Sequence, residues 1–199
     1  MSLVTRLRHT CDRSPDQLAV ICGDQSWTYA EFDRLTDFVA GRLLCAGITP
    51  GERVAFHLPN VSELALGYVG CIKAGAIAVP VNPRLKGREI ECVLRHSGAA
   101  GYIGQPDLYS EVAGLRKQLA DLRRLYLIGD ASSVNGVRPF DELLGPLPRP
   151  VSLPAVAADQ AAAILYTSGT TAHPKGVAHS HESLAQTARV MRGLRVDED

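Results

Sequence analysis

The sequence lacks the features typical of nucleic-acid-binding, membrane-spanning and secreted proteins. Its 199 residues hold 21 Lys and Arg against 21 Asp and Glu, and the absence of a basic run argues against nucleic acid as a main partner. The longest apolar stretches, such as residues 74–81, are too short to span a bilayer. The N-terminus has no signal-peptide core, so we expect a cytoplasmic protein.

Cysteine motifs for metal binding, redox chemistry or disulfide pairing are also lacking. The five cysteines are widely spaced, odd in number and without a Cys-x-x-Cys pattern. We therefore interpret them as reduced thiols, mostly buried as small apolar groups. No surrounding pattern suggests an activated cysteine. The five are Cys11, Cys22, Cys45, Cys71 and Cys92.

Strand-like and helix-like segments alternate along most of the chain. Short apolar runs between turn residues predict strands, and apolar residues at steps of three and four predict helices. This alternation predicts an α/β fold with a largely parallel sheet layered with helices. The predicted helices cover residues 2–13, 30–45, 62–74, 87–96, 107–119 and 180–192. The predicted strands cover residues 19–22, 26–29, 53–58, 76–81, 101–103 and 125–128.

A proline-rich stretch divides the chain. Residues 145–160 hold four prolines, which remove backbone donors and disfavour helix, so we predict an extended connector. Residues 1–144 form the predicted α/β subdomain. Residues 161–199 are predicted to form a phosphate-loop hairpin and the helix after it, as the start of a second, incomplete subdomain.

The strongest chemical signal lies in residues 166–177, which read Tyr-Thr-Ser-Gly-Thr-Thr-Ala-His-Pro-Lys-Gly-Val. Hydroxyls and backbone N–H groups in such a run can donate to polyphosphate oxygens, while an ammonium balances their charge. Gly169 lets the backbone approach closely, and Pro174 presets the direction of the lysine. The predicted phosphate-binding residues are Thr167, Ser168, Gly169, Thr170, Thr171 and Lys175.

This loop is not a Walker loop, which requires Gly-x-x-x-x-Gly-Lys-Ser/Thr at the start of a helix. Its flanks, residues 161–166 and 176–179, are compatible with strands. We therefore predict that the loop joins two strands, as an antiparallel pair. A polar hairpin without a ligand is the alternative, and it is disfavoured because an ordinary turn has no use for so many hydroxyl and glycine positions before Pro-Lys-Gly.

Residues 166–177 resemble the signature phosphate-binding loop of the adenylate-forming superfamily, which includes acyl- and aryl-CoA synthetases, peptide-synthetase adenylation domains and firefly-type luciferases. Three further segments resemble family motifs, in the family's order. They are residues 27–32 (Trp-Thr-Tyr-Ala-Glu-Phe), 53–60 (Arg-Val-Ala-Phe-His-Leu-Pro-Asn) and 72–83, which contain Lys-Ala-Gly-Ala. The resemblance covers nearly the whole chain, and residues 82–85 and 95–99 look more like CoA ligases than peptide-synthetase domains.

The resemblance implies a carboxylic-acid substrate, ATP with Mg²⁺, and CoA. The acid and ATP would give an acyl-adenylate, and CoA would then form a thioester, as in fatty acid metabolism. The family elements for adenine, ribose, the acyl group and magnesium, and the C-terminal domain with its catalytic lysine, are not found in residues 1–199. We therefore expect a truncated chain that is inactive alone, has no catalytic residue or metal site of its own, and binds no cofactor tightly.

Two alternatives stay open beside this interpretation. The chain is a non-catalytic remnant or interaction module, or it is one half of a split enzyme. Apolar surfaces exposed by truncation would favour self-association. An unrelated phosphate-loop ATPase is disfavoured, because Gly-Lys-Ser/Thr is absent.

Several single residues allow a structural interpretation beside a functional one. Ala172 departs from the glycine or serine that relatives usually have, which costs on the order of 1 kcal/mol if the position needs a positive φ. His179 and His181 lack a third ligand at suitable spacing, so we interpret them as structural. Lys73 and Arg84 are interpreted as surface groups that stabilise the fold.

Overall fold

Helices and strands alternate along the chain as the sequence predicts. The computed structural model describes residues 1–131, 134–167 and 175–193, with the backbone alone for residues 191–193. The helices are α1 (Leu3–Arg13), α2 (Tyr29–Cys45), α3 (Ser62–Lys73), α4 (Gly87–Ser97), α5 (Pro106–Ala113) and α6 (His181–Gly193). The strands are β1 (Leu18–Cys22), β2 (Gln25–Thr28), β3 (Arg53–His57), β4 (Ile77–Pro80), β5 (Ala99–Gly104), β6 (Arg124–Leu127), β7 (Arg138–Pro139), β8 (Ala161–Thr167) and β9 (Lys175–Ser180).

A seven-stranded sheet in the order β7-β6-β5-β3-β4-β8-β9 organises the molecule, and β1 and β2 form a separate antiparallel hairpin. All neighbouring strands of the large sheet run parallel except β8 and β9. The chain passes from β3 to β4 on one side and then crosses back to β5 on the other side of β3. This reversal puts helices on both faces, so the predicted α/β fold class is confirmed.

Two apolar cores fill the space between the sheet and its helices. The first core lies on the face of α1, α2 and α3 and includes Phe32, Leu43 and Leu66. The second core lies on the face of α4 and α5 and includes Ile90 and Tyr109. Each helix turns one apolar side to a core, as the three- and four-residue spacing predicts.

The start of α2 shows how the sequence sets local structure. The Thr28 hydroxyl accepts a hydrogen bond from the Glu31 backbone N–H at 3.3 Å, and the Glu31 carboxylate accepts one from the Thr28 backbone N–H at 2.9 Å. This reciprocal pair is a capping box, which satisfies donors that the first helical turn leaves free. The hydrogen bond from the Thr28 backbone is the main cause that lowers the pKa of Glu31.

One predicted helix is shorter in the structure, and two short elements were not predicted. The helix predicted over residues 107–119 ends at Ala113 as α5, and a 3-10 turn over Arg116–Gln118 follows. Gly114 follows as the C-cap of α5, in the right-handed helical region with φ of −68°, and glycine is a poor residue for continuing a helix. A short strand, β7, and a 3-10 turn over Phe140–Leu143 were not predicted, since each is too brief to show a period.

The interpretation of Lys73 as a surface group was wrong. Its side chain is fully buried, and its ammonium lies 2.6 Å from the Asp33 carboxylate and 2.8 Å from the Asp37 carboxylate. The ammonium also donates to the Asp33 backbone carbonyl at 2.8 Å. Lys73 therefore joins the end of α3 to α2, and burial of the charge is tolerated because three oxygens surround it. Arg84 is exposed as expected.

The connector and the hairpin follow the predicted order along the chain. Residues 145–160 contain no helix or strand, and the Arg42 guanidinium of α2 holds their start by donating to the Pro146 carbonyl at 2.5 Å. The hairpin of β8 and β9 extends the large sheet through a parallel contact with β4. The proposed division into subdomains at residues 144 and 160 stays a prediction.

Candidate functional site

The predicted phosphate loop lies between two antiparallel strands. β8 and β9 pair from Ala161 with Ser180 to Thr167 with Lys175. The antiparallel hairpin predicted from the flanks is confirmed. Of the predicted phosphate-binding residues, the structure describes Thr167 and Lys175, and the pairing brings these two together. The remaining ones, Ser168, Gly169, Thr170 and Thr171, lie outside the described residues, as does Ala172.

The loop leaves the sheet at the edge where α/β proteins commonly bind ligands. β8 runs parallel to β4, with Ala78 opposite Ala163, and β4 runs parallel to β3. The carboxyl ends of these strands therefore meet at the same edge, and Thr167 is the last residue of β8. The strand order reverses on either side of β3, and open α/β sheets commonly bind ligands outside the carboxyl ends of their strands at such a reversal.

Thr167 and Lys175 form a small polar pair at the base of the loop. They are direct partners in the antiparallel ladder, so their side chains emerge on the same face with Cβ atoms about 5 Å apart. Both residues are exposed. A hydroxyl and an ammonium are thus available side by side, and both can donate to an anionic oxygen.

The helix after the loop contributes no charge to this pair. α6 begins at His181, at the end of β9 opposite to Lys175. In a Walker loop the following helix points its positive N-terminus at the phosphate. Here the hairpin moves that N-terminus away, so the positive charge at the base of the loop comes from Lys175.

Tyr166 lies just before the polar pair and packs against the second core. Its hydroxyl lies 2.7 Å from Nδ1 of His96, in the last turn of α4, and the two rings meet edge to face at 5.7 Å. Burial is the main cause that raises the pKa of Tyr166. Tyr166 thus has a packing role, and its contact with His96 was not predicted.

The two histidines considered for metal binding occupy different surroundings. His179 is half-buried in β9 opposite Ala163. His181 is fully buried at the start of α6, and burial lowers the pKa of its imidazole. Within the part of the chain that the structure describes, no group of three His, Cys, Asp or Glu side chains could hold a metal ion.

A buried histidine at the carboxyl edge was missed by sequence reasoning. His57 ends β3, is fully buried, and its Nδ1 lies 3.0 Å from the Tyr102 hydroxyl. Burial, helped by the nearby charge of Lys86, lowers the pKa of His57 to about 4. The signal available in the sequence was a polar residue directly after the apolar run of residues 54–56.

The cysteines follow their prediction in part. None of the five, all of which lie in described segments, forms a disulfide. Cys11 and Cys71 are buried, whereas the other three are half-buried. Burial raises the pKa of the Cys71 thiol far above its usual range, which leaves it an unreactive apolar group.

Comparison with solved structures identifies the architecture. The fold matches the crystal structure of the anthranilate CoA ligase AuaEII in complex with anthranoyl-AMP with a TM-score of 0.88 and 26% identity. The match covers 95% of this chain and 36% of that one. The chain thus has the architecture of the N-terminal part of an adenylate-forming enzyme.

Comparison of sequences gives the family. Residues 7–199 match the family described as AMP-binding enzyme, and the chain belongs to that family. It is 33% identical over 187 residues to triostin synthetase I of Streptomyces triostinicus, covering 92% of this chain and 34% of that protein. It is 32% identical over 180 residues to 3-hydroxybenzoate–CoA/4-hydroxybenzoate–CoA ligase of Thauera aromatica, covering 89% of this chain and 34% of that protein.

The chain therefore spans about a third of the length of these curated relatives. The family match agrees with the resemblance noted in the loop and its companion motifs. No helix among the described residues is long and apolar enough to cross a membrane.

Proposed function

We propose that this chain is the N-terminal part of an ATP-dependent acid–thiol ligase and that its hairpin loop binds the phosphates of ATP. One observation carries the proposal, namely the register that pairs Thr167 with Lys175 at the base of residues 168–174. That register presents a hydroxyl and an ammonium at the carboxyl edge of a doubly wound sheet. Membership of the AMP-binding enzyme family supports it.

The proposed reaction of the complete protein has two steps. A carboxylate oxygen attacks the α-phosphorus of ATP, and the bond to the pyrophosphate breaks to leave an acyl-adenylate. The thiol of CoA then attacks the acyl carbon, and AMP leaves. We propose a carboxylic acid as the substrate class, because the Thauera relative is named as a ligase of hydroxybenzoates.

Lys175 and Thr167 would act on the leaving pyrophosphate in the first step. Negative charge grows on the β-phosphate oxygens as the bond to the α-phosphorus breaks. Donors that are already in place stabilise that charge without reorganisation. A charge-assisted hydrogen bond from an ammonium is about twice as strong as a neutral one, so we propose that Lys175 has the larger effect.

We further propose that Mg²⁺ accompanies ATP. We also propose that residues 1–199 alone do not catalyse the reaction. No described residue is assigned as a ligand of Mg²⁺. Residues 1–199 span about a third of the relatives, and we propose that the acyl, adenine and thiol sites need further residues. The fatty-acid role, the cytoplasmic location, self-association and the lack of a tightly bound cofactor stay predictions.

Calorimetric titration with inorganic tripolyphosphate tests the binding proposal. Tripolyphosphate carries the charge of the ATP phosphates without the adenosine, so it probes the loop alone. We expect Lys175→Ala to weaken binding about tenfold, because it removes a charge-assisted hydrogen bond. Thr167→Val should weaken binding about threefold, since it removes one neutral hydroxyl donor.

Lys117→Ala is the matched control, because Lys117 is an exposed lysine outside the hairpin. Its titration should follow the wild type. Equal weakening by Lys117→Ala and Lys175→Ala would show non-specific attraction and contradict the proposal. Release of pyrophosphate by residues 1–199 supplied with ATP, Mg²⁺, CoA and carboxylic acids would contradict the proposal that they do not turn over alone.

A further inference from the structure

A side-chain hydrogen bond between His96 and Tyr166 joins the base of the hairpin to helix α4. The Tyr166 hydroxyl and His96 Nδ1 lie 2.7 Å apart, within the range of a strong hydrogen bond. The rings are nearly perpendicular, at 86°, which is the favoured edge-to-face arrangement. The two residues are 70 positions apart in the sequence, so this contact links two elements that are distant along the chain.

The end of α4 that carries His96 is itself held to the sheet. The Arg53 guanidinium of β3 donates from Nε to the Ser97 carbonyl at 2.5 Å and from a terminal nitrogen to the Gly98 carbonyl at 2.7 Å. Gly98 ends the helix in a left-handed conformation, with φ of 58°. A cation on the last carbonyls stabilises a helix end, so the backbone that carries His96 is held in place, although the His96 side chain itself is exposed.

On the hairpin side, Tyr166 contacts both arms at once. It is the ladder partner of Gly176 on β9. A Cβ atom placed on Gly176 would lie 3.0 Å from the Tyr166 ring, closer than ordinary contact distance. The phenol therefore lies across the opposite arm, where only glycine leaves room for it. Thr167 and Lys175 form the next pair of the ladder, directly beside the loop.

The contact between Tyr166 and His96 lies on the opposite face of the hairpin from Thr167 and Lys175. Successive strand residues point to opposite faces. Tyr166 packs against the second core, so Thr167 and its partner Lys175 point to the other face. The phenol is thus placed to fix the hairpin and is not placed to touch a phosphate that those two side chains hold.

We propose that His96 and Tyr166 are positioning residues that hold Thr167 and Lys175, at the base of the phosphate loop, in the place from which they bind phosphate. This inference rests on the proposed phosphate-binding function. The hydrogen bond restrains the β8–β9 pair where the loop begins, so the donors need less ordering when the anion binds. Ordering before binding raises affinity without adding a contact to the ligand.

Two readouts on the same 199-residue chain test this role. Tyr166→Phe keeps the ring over Gly176 and removes only the hydroxyl. We expect it to weaken tripolyphosphate binding about fivefold and to speed amide hydrogen exchange in β9 by about the same factor, as the loss of one hydrogen bond predicts. His96→Ala should change both readouts as much as Tyr166→Phe does. Combining the two substitutions should add little to either effect, because both remove the same hydrogen bond. His96→Gln should lie between His96→Ala and the wild type in both readouts.

Tyr102→Phe is the matched control. It removes another tyrosine–histidine hydrogen bond, the one to His57 at 3.0 Å, from the same core but away from the hairpin. It should lower stability while leaving tripolyphosphate affinity and β9 exchange as in the wild type.

The outcomes separate the two proposals. The positioning role is overturned if the rate of amide hydrogen exchange in β9 is unchanged in Tyr166→Phe. It is also overturned if Tyr102→Phe speeds that exchange equally. Unchanged tripolyphosphate affinity in Tyr166→Phe, where the wild type binds, overturns it as well. Faster β9 exchange in Tyr166→Phe together with no tripolyphosphate binding by the wild type overturns the phosphate-binding function and leaves the tie between α4 and the hairpin standing.

Discussion

At the residue scale, the roles of Lys175 and Lys73 depend on the groups that surround each ammonium. Lys175 was predicted at the loop because its context of hydroxyls, glycine and proline fits phosphate. Lys73 was misjudged because its two carboxylate partners, Asp33 and Asp37, lie on another helix, some 40 residues earlier. No sequence pattern near Lys73 indicates these partners, because the burial of a charge depends on tertiary packing.

His57 gives a pH dependence at the residue scale. Burial lowers its pKa from 6.5 to about 4, so the folded state binds fewer protons than the unfolded state between these values. Its stabilising contribution is therefore complete above pH 6.5 and is lost as the pH falls toward 4. We expect about 3 kcal/mol of the free energy of unfolding to be lost over this window through His57.

Urea denaturation at a series of pH values measures this effect. His57→Gln should show a flatter profile than the wild type between pH 6.5 and 4, whatever its stability at neutral pH. His9→Gln removes an exposed histidine of α1 and serves as the matched control. A wild-type profile no steeper than that of His57→Gln would refute the assignment.

At the scale of elements, regular segments were predictable and their ends were less so. The capping box at Thr28 and Glu31 marks the start of α2 in the sequence itself. Gly114 was not recognised as the end of α5, since an isolated glycine is also tolerated inside helices. The contact between His96 and Tyr166 had no sequence signal, because it depends on how α4 and β8 pack.

The end of α4 gives a prediction for one element. Gly98 has φ of 58°, and a Cβ atom added to it would lie 2.4 Å from the Arg53 guanidinium. Gly98→Ala should lower the free energy of unfolding by about 1 to 2 kcal/mol, because an L side chain is strained in this conformation and displaces the capping cation. Urea denaturation at pH 7 provides the measurement.

Gly114→Ala is the control for that substitution. Gly114 also caps a helix, but its φ is −68° and an added Cβ would meet no atom within 4 Å. The free energy of unfolding of the Gly114→Ala variant should equal that of the wild type or exceed it by up to about 1 kcal/mol. Equal losses at Gly98 and Gly114 would show that the left-handed cap is not the cause.

At the scale of the whole molecule, alternation of strands and helices was enough to predict a layered α/β fold. The strand order was not predicted, because the crossing from β4 back to β5 is a long-range choice that local pattern does not record. The antiparallel hairpin was predicted, since its two strands are neighbours in sequence. The proposed site follows the same rule: its predicted donors lie in one short segment, together with Tyr166, whereas His96, which we propose to position them, lies on α4.

The most direct test of the proposal that the hairpin loop binds the ATP phosphates is a titration of the isotope-labelled 199-residue chain with Mg·ATP, with amide chemical shifts as the readout. We expect the largest shift changes at Thr167, at Lys175 and in the loop between them, and we expect the amides of β1 and β2 to stay unchanged. Saturable changes confined to another part of the molecule, with those two amides unmoved, would contradict it.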